Sequence, residues 1–304
     1  MTPAVLRTWG LSKRYGDSYA LRDLDLAVAP GEVFGYLGPN GAGKTTTIRL
    51  LLGLIQPSAG RAEIFGVDCQ RRPVEAHRRL AYVPGEAELW PSLTGAETLH
   101  LLGRVQGQVD ASYRDDLIAR FNLDPSKKVR AYSRGNRQKV VLIAALMTRA
   151  HLLVLDEPTS GLDPLMEQVF RQCIHEAKEN GQTVFLCSHV LSEVEALCGR
   201  VGLLRDGQLV EEGTLAEMRH LSSLTVEATF EGNPPDLSEV PGVSAVHADG
   251  QVLRCQVQGS VEPLLKVLAS SAVTKLLSRE PSLEELFVAL YGADERAKGV
   301  TGER

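Results

Sequence analysis

Apolar and polar residues alternate with two different periods along the first two thirds of the chain. From Ala4 to about Ala29, leucine and valine alternate with polar residues, which is typical of half-buried antiparallel strands. Val33 to Leu37 is a continuous apolar run that ends in a glycine-rich turn, and Lys44 to Gly53 has the spacing of a packed helix. This order predicts a strand, a loop of the size of a phosphate group and a helix.

Two later apolar runs predict buried parallel strands. Leu152 to Leu155 and Thr183 to Cys187 are almost wholly apolar, as expected where helices cover both faces of a sheet. Between them, Asp163-Pro164 is a helix start and Asn180-Gly181 a helix stop. The order strand, helix, strand predicts a doubly wound α/β core. The region from about Pro91 to Ala150 has weak strand signals and predicts an inserted, mainly helical lobe.

A second, smaller domain is predicted after a hairpin turn at Asp206-Gly207. The pattern restarts after Ser222 and is typical of a small α+β domain. We therefore predict domains at 1–220 and 222–292 and a frayed polar tail at 293–304. The predicted elements of the second domain are strands at Leu224 to Phe230, Val252 to Val257 and Val273 to Leu277, and helices at Val261 to Ala269 and from Ser282 onward.

Composition narrows the functional classes. The formal net charge of -5 over 304 residues argues against a general nucleic-acid binder, which usually carries a concentrated basic face. The five cysteines are scattered and never form a C-x-x-C pair, so they predict small buried residues in a reducing compartment. No secretory signal is visible at the start, and the longest apolar run, Val140 to Met147, is far shorter than the roughly 20 residues of a membrane span. Any membrane role is therefore expected to come through a partner.

The glycine-rich turn matches the complete pattern G-x-x-x-x-G-K-[ST]. Its glycines let consecutive backbone N–H groups converge on a di- or triphosphate, and the following helix directs its positive end at the same charge. Lys44 adds a mobile cation, and Thr45 offers a hydroxyl to Mg²⁺. The predicted phosphate-binding residues are Gly38, Pro39, Asn40, Gly41, Ala42, Gly43, Lys44, Thr45 and Thr46.

The apolar strand that begins at Leu152 ends in two carboxylates, Asp156 and Glu157. Taken alone, such a strand end more often forms a turn or a helix cap. Together with a phosphate loop, the pair places Asp156 at a metal ion and Glu157 where it can orient or deprotonate an attacking water.

Four further motifs accompany the phosphate loop and the carboxylate pair. All six occur in the order found in the ATP-binding cassette ATPases, so the chain resembles that family over about residues 4 to 220. Tyr132 to Gln138 (Tyr-Ser-Arg-Gly-Asn-Arg-Gln) is similar to the family's signature sequence. Ser160 to Asp163 resembles its D-loop, and Ser188-His189 its switch histidine. Tyr15 falls where the family has an aromatic ring that stacks on adenine. The resemblance implies a P-loop NTPase cassette with a mixed sheet core, an antiparallel β part and an inserted helical lobe.

The resemblance implies that the chain is an Mg²⁺-dependent ATPase that binds ATP and powers transport through a separate integral membrane permease. Glu157, His189 and Lys44 are the expected catalytic residues, Thr45 and Asp156 the metal ligands, and Asp163 a further residue of the nucleotide site. Two such subunits are expected to face each other head to tail, so that Ser133 and Gly135 of one close over the γ-phosphate bound by the other. The expected location is the cytoplasmic face of the membrane. The wording of the signature resembles export-type cassettes of drug and antibiotic efflux.

The sequence departs from the family pattern at two places. Arg134 and Asn136 replace the commoner glycine and glutamine of the signature. Gly85 stands where the family usually has a glutamine that reaches the metal, and the next residue is Glu86. Two other functions would also use a nucleotide-binding cassette. A soluble cassette ATPase acting on ribosomes or DNA usually has two fused cassettes or a long coiled coil, and a non-hydrolysing nucleotide sensor does not need Glu157 and His189.

Overall fold

The computed structural model describes residues 4–107, 109–220 and 224–279, and the chain divides into two compact units, Met1–Gly213 and Thr214–Arg304. The division falls a few residues before the boundary predicted at 220. As a result, the short helix Leu215–His220 groups with the second unit instead of the first.

The first unit contains ten strands and seven helices among the described residues, and most of them follow the apolar pattern of the sequence. Its strands are β1 (Leu6–Tyr15), β2 (Ser18–Val28), β3 (Val33–Leu37), β4 (Ala59–Ile64), β5 (Val67–Asp68), β6 (Leu80–Val83), β7 (Leu152–Asp156), β8 (Thr183–Ser188), β9 (Arg200–Arg205) and β10 (Gln208–Thr214). Its helices are α1 (Lys44–Leu51), α2 (Pro73–Ala76), α3 (Gly95–Gln106), α4 (Ala111–Arg120), α5 (Arg134–Leu146), α6 (Pro164–Glu179) and α7 (Leu191–Leu197).

An antiparallel sheet forms the start of the first unit, in the order β2-β1-β4-β5. Leu6 lies opposite Val28 in β2 and opposite Ile64 in β4, and all three side chains are buried. The prediction of antiparallel strands over Ala4 to Ala29 is confirmed, because the alternating leucines and valines fill the buried face.

A second sheet of six strands, in the order β10-β9-β3-β8-β7-β6, carries the nucleotide motifs. Strands β6, β7, β8, β3 and β9 run parallel, and every residue of β3, β7 and β8 is buried. This confirms the predicted parallel α/β core. At its edge, β9 and β10 are joined by Asp206-Gly207, where both residues have positive φ angles of 48° and 77°, as in the predicted hairpin turn.

The region between β6 and β7 is helical, as predicted. Thr94 and Glu97 form a capping box at the start of α3, in which each side chain bonds the backbone N–H of the other residue. Helix α5 is buried over most of its length, because its apolar run from Val140 packs inward. Two 3₁₀ turns, His77–Arg79 and Val129–Ala131, precede β6 and α5.

The second unit is an α+β structure built around its own small core. It contains α8 (Leu215–His220), β11 (Leu224–Phe230), β12 (Val243–Asp249), β13 (Val252–Val257), α9 (Glu262–Ala269) and β14 (Val273–Arg279). The four strands form an antiparallel sheet in the order β12-β13-β11-β14, and Val226, Ala228, Leu253 and Leu264 belong to its core. The sequence did not predict β12, because its residues are almost all exposed and lack an alternating apolar pattern. The helix predicted from Ser282 and the tail at 293–304 lie outside the described residues.

Candidate active site

The phosphate loop lies between the end of β3 and the start of α1, and two of its glycines are required by the space around them. A side chain at Gly43, whose φ is 112°, would place its Cβ 2.4 Å from the carbonyl oxygen of Ala20. A Cβ at Gly38 would lie 2.5 Å from the carbonyl oxygen of Leu204. The loop is therefore wedged between β2 and the strand β9, so only glycine fits at these two positions.

Lys44 is almost completely buried beneath this loop, with 6% of its surface exposed. Its ammonium group donates hydrogen bonds to the carbonyl oxygens of Gly38 (2.5 Å) and Pro39 (3.2 Å). The same nitrogen lies 3.6 Å from Oε1 of Glu157. The chain thus holds one buried cation at the mouth of the loop, where the phosphates of a nucleotide would be bound.

Parallel pairing explains why residues far apart in the sequence meet at this loop. Leu37 at the end of β3 lies opposite Ser188 at the end of β8, and Asp156 at the end of β7 lies opposite Cys187. The three strands therefore end at the same edge of the sheet. The phosphate loop, the carboxylate pair and the switch histidine all emerge from that edge, as is usual for ligand sites in such sheets.

Asp156 and Thr45 have the properties of a divalent-cation site. Thr45 Oγ1 donates to Oδ2 of Asp156 over 3.3 Å, while Oδ1 of Asp156 is buried and has no hydrogen-bond partner. Burial raises the pKa of the Asp156 carboxyl, an effect opposed by the bond from Thr45 and by the charge of Lys44. A buried carboxylate oxygen without a donor, beside a hydroxyl, fits the hard oxygen-ligand set that Mg²⁺ prefers.

Glu157 is held between two positively charged or polar groups in a conformation that non-glycine residues rarely adopt. Its φ is 48°, in the left-handed region, which costs about 1–2 kcal/mol. Its Oε1 faces Lys44, and its Oε2 lies 2.5 Å from Nδ1 of His189. The strained backbone turns the carboxylate away from the strand direction and toward the phosphate loop. The predicted catalytic residues Glu157, His189 and Lys44 are therefore brought together.

A buried glutamate that the sequence did not single out lies behind this cluster. Glu193 is 2% exposed on α7, and its Oε2 accepts a hydrogen bond from the Ser188 hydroxyl over 2.8 Å. Its other oxygen, Oε1, is buried and has no hydrogen-bond partner. Burial, together with the charges of Glu157 and Glu167, raises the pKa of Glu193 to about 7. The one signal for Glu193 in the sequence is its position, four residues after His189.

Tyr15 and Gly85 lie at the two sides of the site. Tyr15 lies at the end of β1 and is 53% exposed. It precedes the turn into β2, the strand whose Ala20 lies against Gly43 of the phosphate loop. Its ring is accessible for stacking, with the ammonium of Lys13 5.0 Å from the ring centre. A Cβ at Gly85 would lie 3.4 Å from the carbonyl oxygen of Asp156, so this residue borders the carboxylate pair, whereas Glu86 is exposed.

The signature residues and Asp163 lie at the starts of α5 and α6. Ser133 caps α5 by accepting from the backbone N–H of Asn136 over 3.2 Å, and a Cβ at Gly135 would lie 2.4 Å from the carbonyl oxygen of Gly161. Asp163 caps α6, with bonds of 3.1 Å from two backbone N–H groups. In the described part of the chain, these residues contact their own helices and the D-loop, and not the lysine of the phosphate loop.

Comparisons with known proteins agree with this arrangement. Residues 21–160 match the family described as ABC transporter. The chain is 36% identical to the daunorubicin resistance ATP-binding protein DrrA3 of Streptomyces coeruleorubidus, over 98% of this chain and 99% of that protein. It is 34% identical to the bacitracin transport ATP-binding protein BcrA of Bacillus licheniformis, over 95% of this chain and 97% of that protein.

A solved ATP-binding subunit of an ABC transporter has the same fold, with a TM-score of 0.67 and 32% identity over 71% of this chain and 92% of that structure. Within the described residues, no helix has the length and hydropathy needed to cross a bilayer. The sequence relatives extend over nearly the whole chain, and the phosphate loop and carboxylate pair occupy one edge of the sheet. The chain therefore belongs to the ABC transporters as an ATP-binding subunit, a nucleotide-binding ATPase of the cassette fold.

Proposed function

We propose that this subunit drives the export of a substrate through a separate membrane permease, to which it binds on the cytoplasmic face as a head-to-tail homodimer. The observation that carries the proposal is the Lys44–Glu157–His189 cluster at the mouth of the phosphate loop. The direction of transport rests on similarity to proteins of daunorubicin resistance and bacitracin transport.

Within the proposed site, each residue has a separate task. Lys44 and the loop amides hold the phosphates, and the cation exchanges its bonds with Gly38 and Pro39 for bonds with phosphate oxygens. Thr45 and Asp156 would hold Mg²⁺, which supplies positive charge against the negative charge that develops on the transferred phosphoryl group. Tyr15 offers its exposed ring to the adenine.

Glu157 is the proposed general base. Its carboxylate accepts the proton of the attacking water, and His189 holds Oε2 so that the carboxylate keeps one orientation. Phosphoryl transfer needs little covalent help from a protein, so positioning and charge stabilisation supply most of the rate gain. Among the described residues, Ser133 and Gly135 contact α5 and Gly161 and not Lys44 of their own subunit, so the proposal assigns them to the nucleotide of a second subunit.

The sharing of sites between subunits is tested by mixing two inactive variants, Ser133→Arg and Lys44→Ala. A mixed dimer has one intact site, made from the phosphate loop of one subunit and the signature of the other. With random assortment, the mixture should regain about a quarter of wild-type activity. A mixture as inactive as either variant alone, although mixed dimers form, contradicts the head-to-tail arrangement.

The transport role is tested by reconstituting the wild-type subunit in vesicles with a polytopic membrane protein that co-purifies with it. We expect this membrane protein to stimulate ATP hydrolysis and to bind the subunit, and we expect no stimulation by ribosomes or DNA. Stimulation by ribosomes or DNA, with none by the membrane protein, would overturn the transport role.

A further inference from the structure

The loop that follows Glu157 is held by two side chains of α5 in the same subunit. Gln138 Nε2 donates to the carbonyl oxygen of Pro158 over 3.0 Å. Nη2 of Arg134 donates to the hydroxyl oxygen of Ser160 over 2.9 Å. The loop therefore has little freedom to move independently of α5.

The first turn of α5 also packs directly against the end of this loop. A Cβ at Gly135 would come within 2.4 Å of the Gly161 carbonyl oxygen, so the two backbones are in contact. Gly161 itself has a φ of 82°, and a Cβ there would lie 3.4 Å from Cγ of Arg134. The aliphatic part of Arg134 therefore covers Gly161, while its guanidinium reaches on to Ser160.

The position of Arg134 is not explained by the stability of its own helix. It is the first residue of α5, whose first turn contains no acidic residue. A cation at this end of a helix is disfavoured by the helix dipole, by about 0.3–1 kcal/mol. Its hydrogen-bond partner is the neutral hydroxyl of Ser160, and among the described residues no carboxylate pairs with this exposed guanidinium. A cation placed against the helix dipole, and bonded to the loop beside the catalytic base, points to a role in the site.

We propose that Arg134 is a positioning residue, which fixes the loop Pro158–Gly161 through Ser160 and thereby sets the position of Glu157 relative to the signature turn of the same subunit. The proposal rests on the proposed head-to-tail dimer, in which the signature turn faces the nucleotide of the second subunit. In that dimer, Arg134 connects the signature turn, which serves the ATP site of the second subunit, to the loop that follows Glu157, the base of its own subunit's ATP site.

The test is a double-mutant cycle with Arg134→Ala, Ser160→Ala and both changes together, measured by ATP hydrolysis. Each single change should lower kcat about fivefold, the effect expected for losing one partly exposed hydrogen bond with a charged donor. The loss should fall on kcat more than on the KM for ATP, because the contact acts on the loop that follows the catalytic base. The double variant should be no slower than the single variants.

Two controls separate positioning from general destabilisation. Ser160→Thr keeps the hydroxyl and should restore kcat, and Ser112→Ala, which removes an exposed hydroxyl on α4, should leave kcat unchanged. Melting temperatures of all variants should stay close to that of the wild type, because the contact is at the surface.

The outcomes that overturn the proposal are distinct from a failure of the dimer. Additive losses of kcat, or a loss with Arg134→Ala and none with Ser160→Ala, show that Arg134 does not act through Ser160. The mixture of Ser133→Arg and Lys44→Ala can fail to regain activity while Arg134 and Ser160 remain coupled. That result contradicts only the sharing of ATP sites between subunits.

Discussion

The buried Glu193 makes a quantitative prediction about stability and pH. Its pKa rises from 4.5 to about 7 on folding, mainly because burial disfavours its charged form, while the bonds from Ser188 and Thr159 oppose this effect. The folded chain therefore binds more protons at this carboxyl than the unfolded chain between about pH 4.5 and 7. By linkage, the free energy of unfolding decreases as pH rises through this window.

The size of the effect follows from the free-energy equivalent of a pKa change, about 1.4 kcal/mol per pKa unit. For Glu193 the decrease amounts to about 3–4 kcal/mol, complete above pH 7 and absent below about pH 4.5. Glu193→Gln has nearly the same shape and cannot ionise. We expect this variant to match the wild type in stability at pH 5 and to exceed it by about 2–3 kcal/mol at pH 8.

The assay is urea unfolding of both proteins at several values between pH 5 and 8, followed by a signal from the first unit. The difference between the two proteins isolates Glu193, because all other groups titrate in both. Glu179→Gln, at the exposed end of α6, is the control and should follow the wild type at every pH. A constant difference between Glu193→Gln and the wild type across this range would refute the argument that Glu193 is buried as a neutral acid.

Three further predictions concern the nucleotide site. Lys44→Ala should weaken ATP binding about tenfold or more, because its buried ammonium contacts phosphate oxygens in the ground state, and unchanged affinity by calorimetry would contradict this. Glu86→Ala should leave the Mg²⁺ requirement of hydrolysis unchanged, because Glu86 is exposed and water would complete the metal shell beside Gly85. A large rise in the Mg²⁺ requirement would identify the carboxylate as a ligand. Gly43→Ala should lower the free energy of unfolding by about 1–3 kcal/mol, because the new Cβ would lie 2.4 Å from the Ala20 carbonyl oxygen. An unchanged melting temperature would show that the loop can shift at no cost.

Much of the site could be predicted from the sequence, because each of its parts depends on residues that are close together in the chain. The strand Val33–Leu37 was predicted with the bounds that the structure gives it, and the glycines that follow it leave few conformations for the loop. The strand of Asp156 and the cap of α6 at Asp163 are equally local. Order along the chain predicted that these residues act together in one nucleotide site, and the parallel pairing of β3, β7 and β8 places them at one edge of the sheet.

Two features of the site depend on contacts that no local pattern encodes. Glu193 belongs to a short helix in which an acid is ordinarily exposed, and only the packing of α7 against β8 brings it under Ser188. Arg134 and Ser160 are 26 residues apart, and their contact depends on the close approach of Gly135 to Gly161. The left-handed backbone of Glu157 was also not visible from its residue type, because such strain persists only where the surrounding structure imposes it.

Glu157→Gln examines the role of the base most directly. The change keeps the side-chain shape and leaves Lys44, Thr45 and the loop glycines in place, so binding of Mg²⁺ and ATP should persist. Only the proton acceptor for the attacking water is lost. Gel filtration with Mg²⁺ and ATP, with phosphate release measured on the same fractions, should show an accumulated ATP-bound dimer without turnover. Wild-type turnover by Glu157→Gln would remove this carboxylate from the mechanism and contradict the assignment of the base.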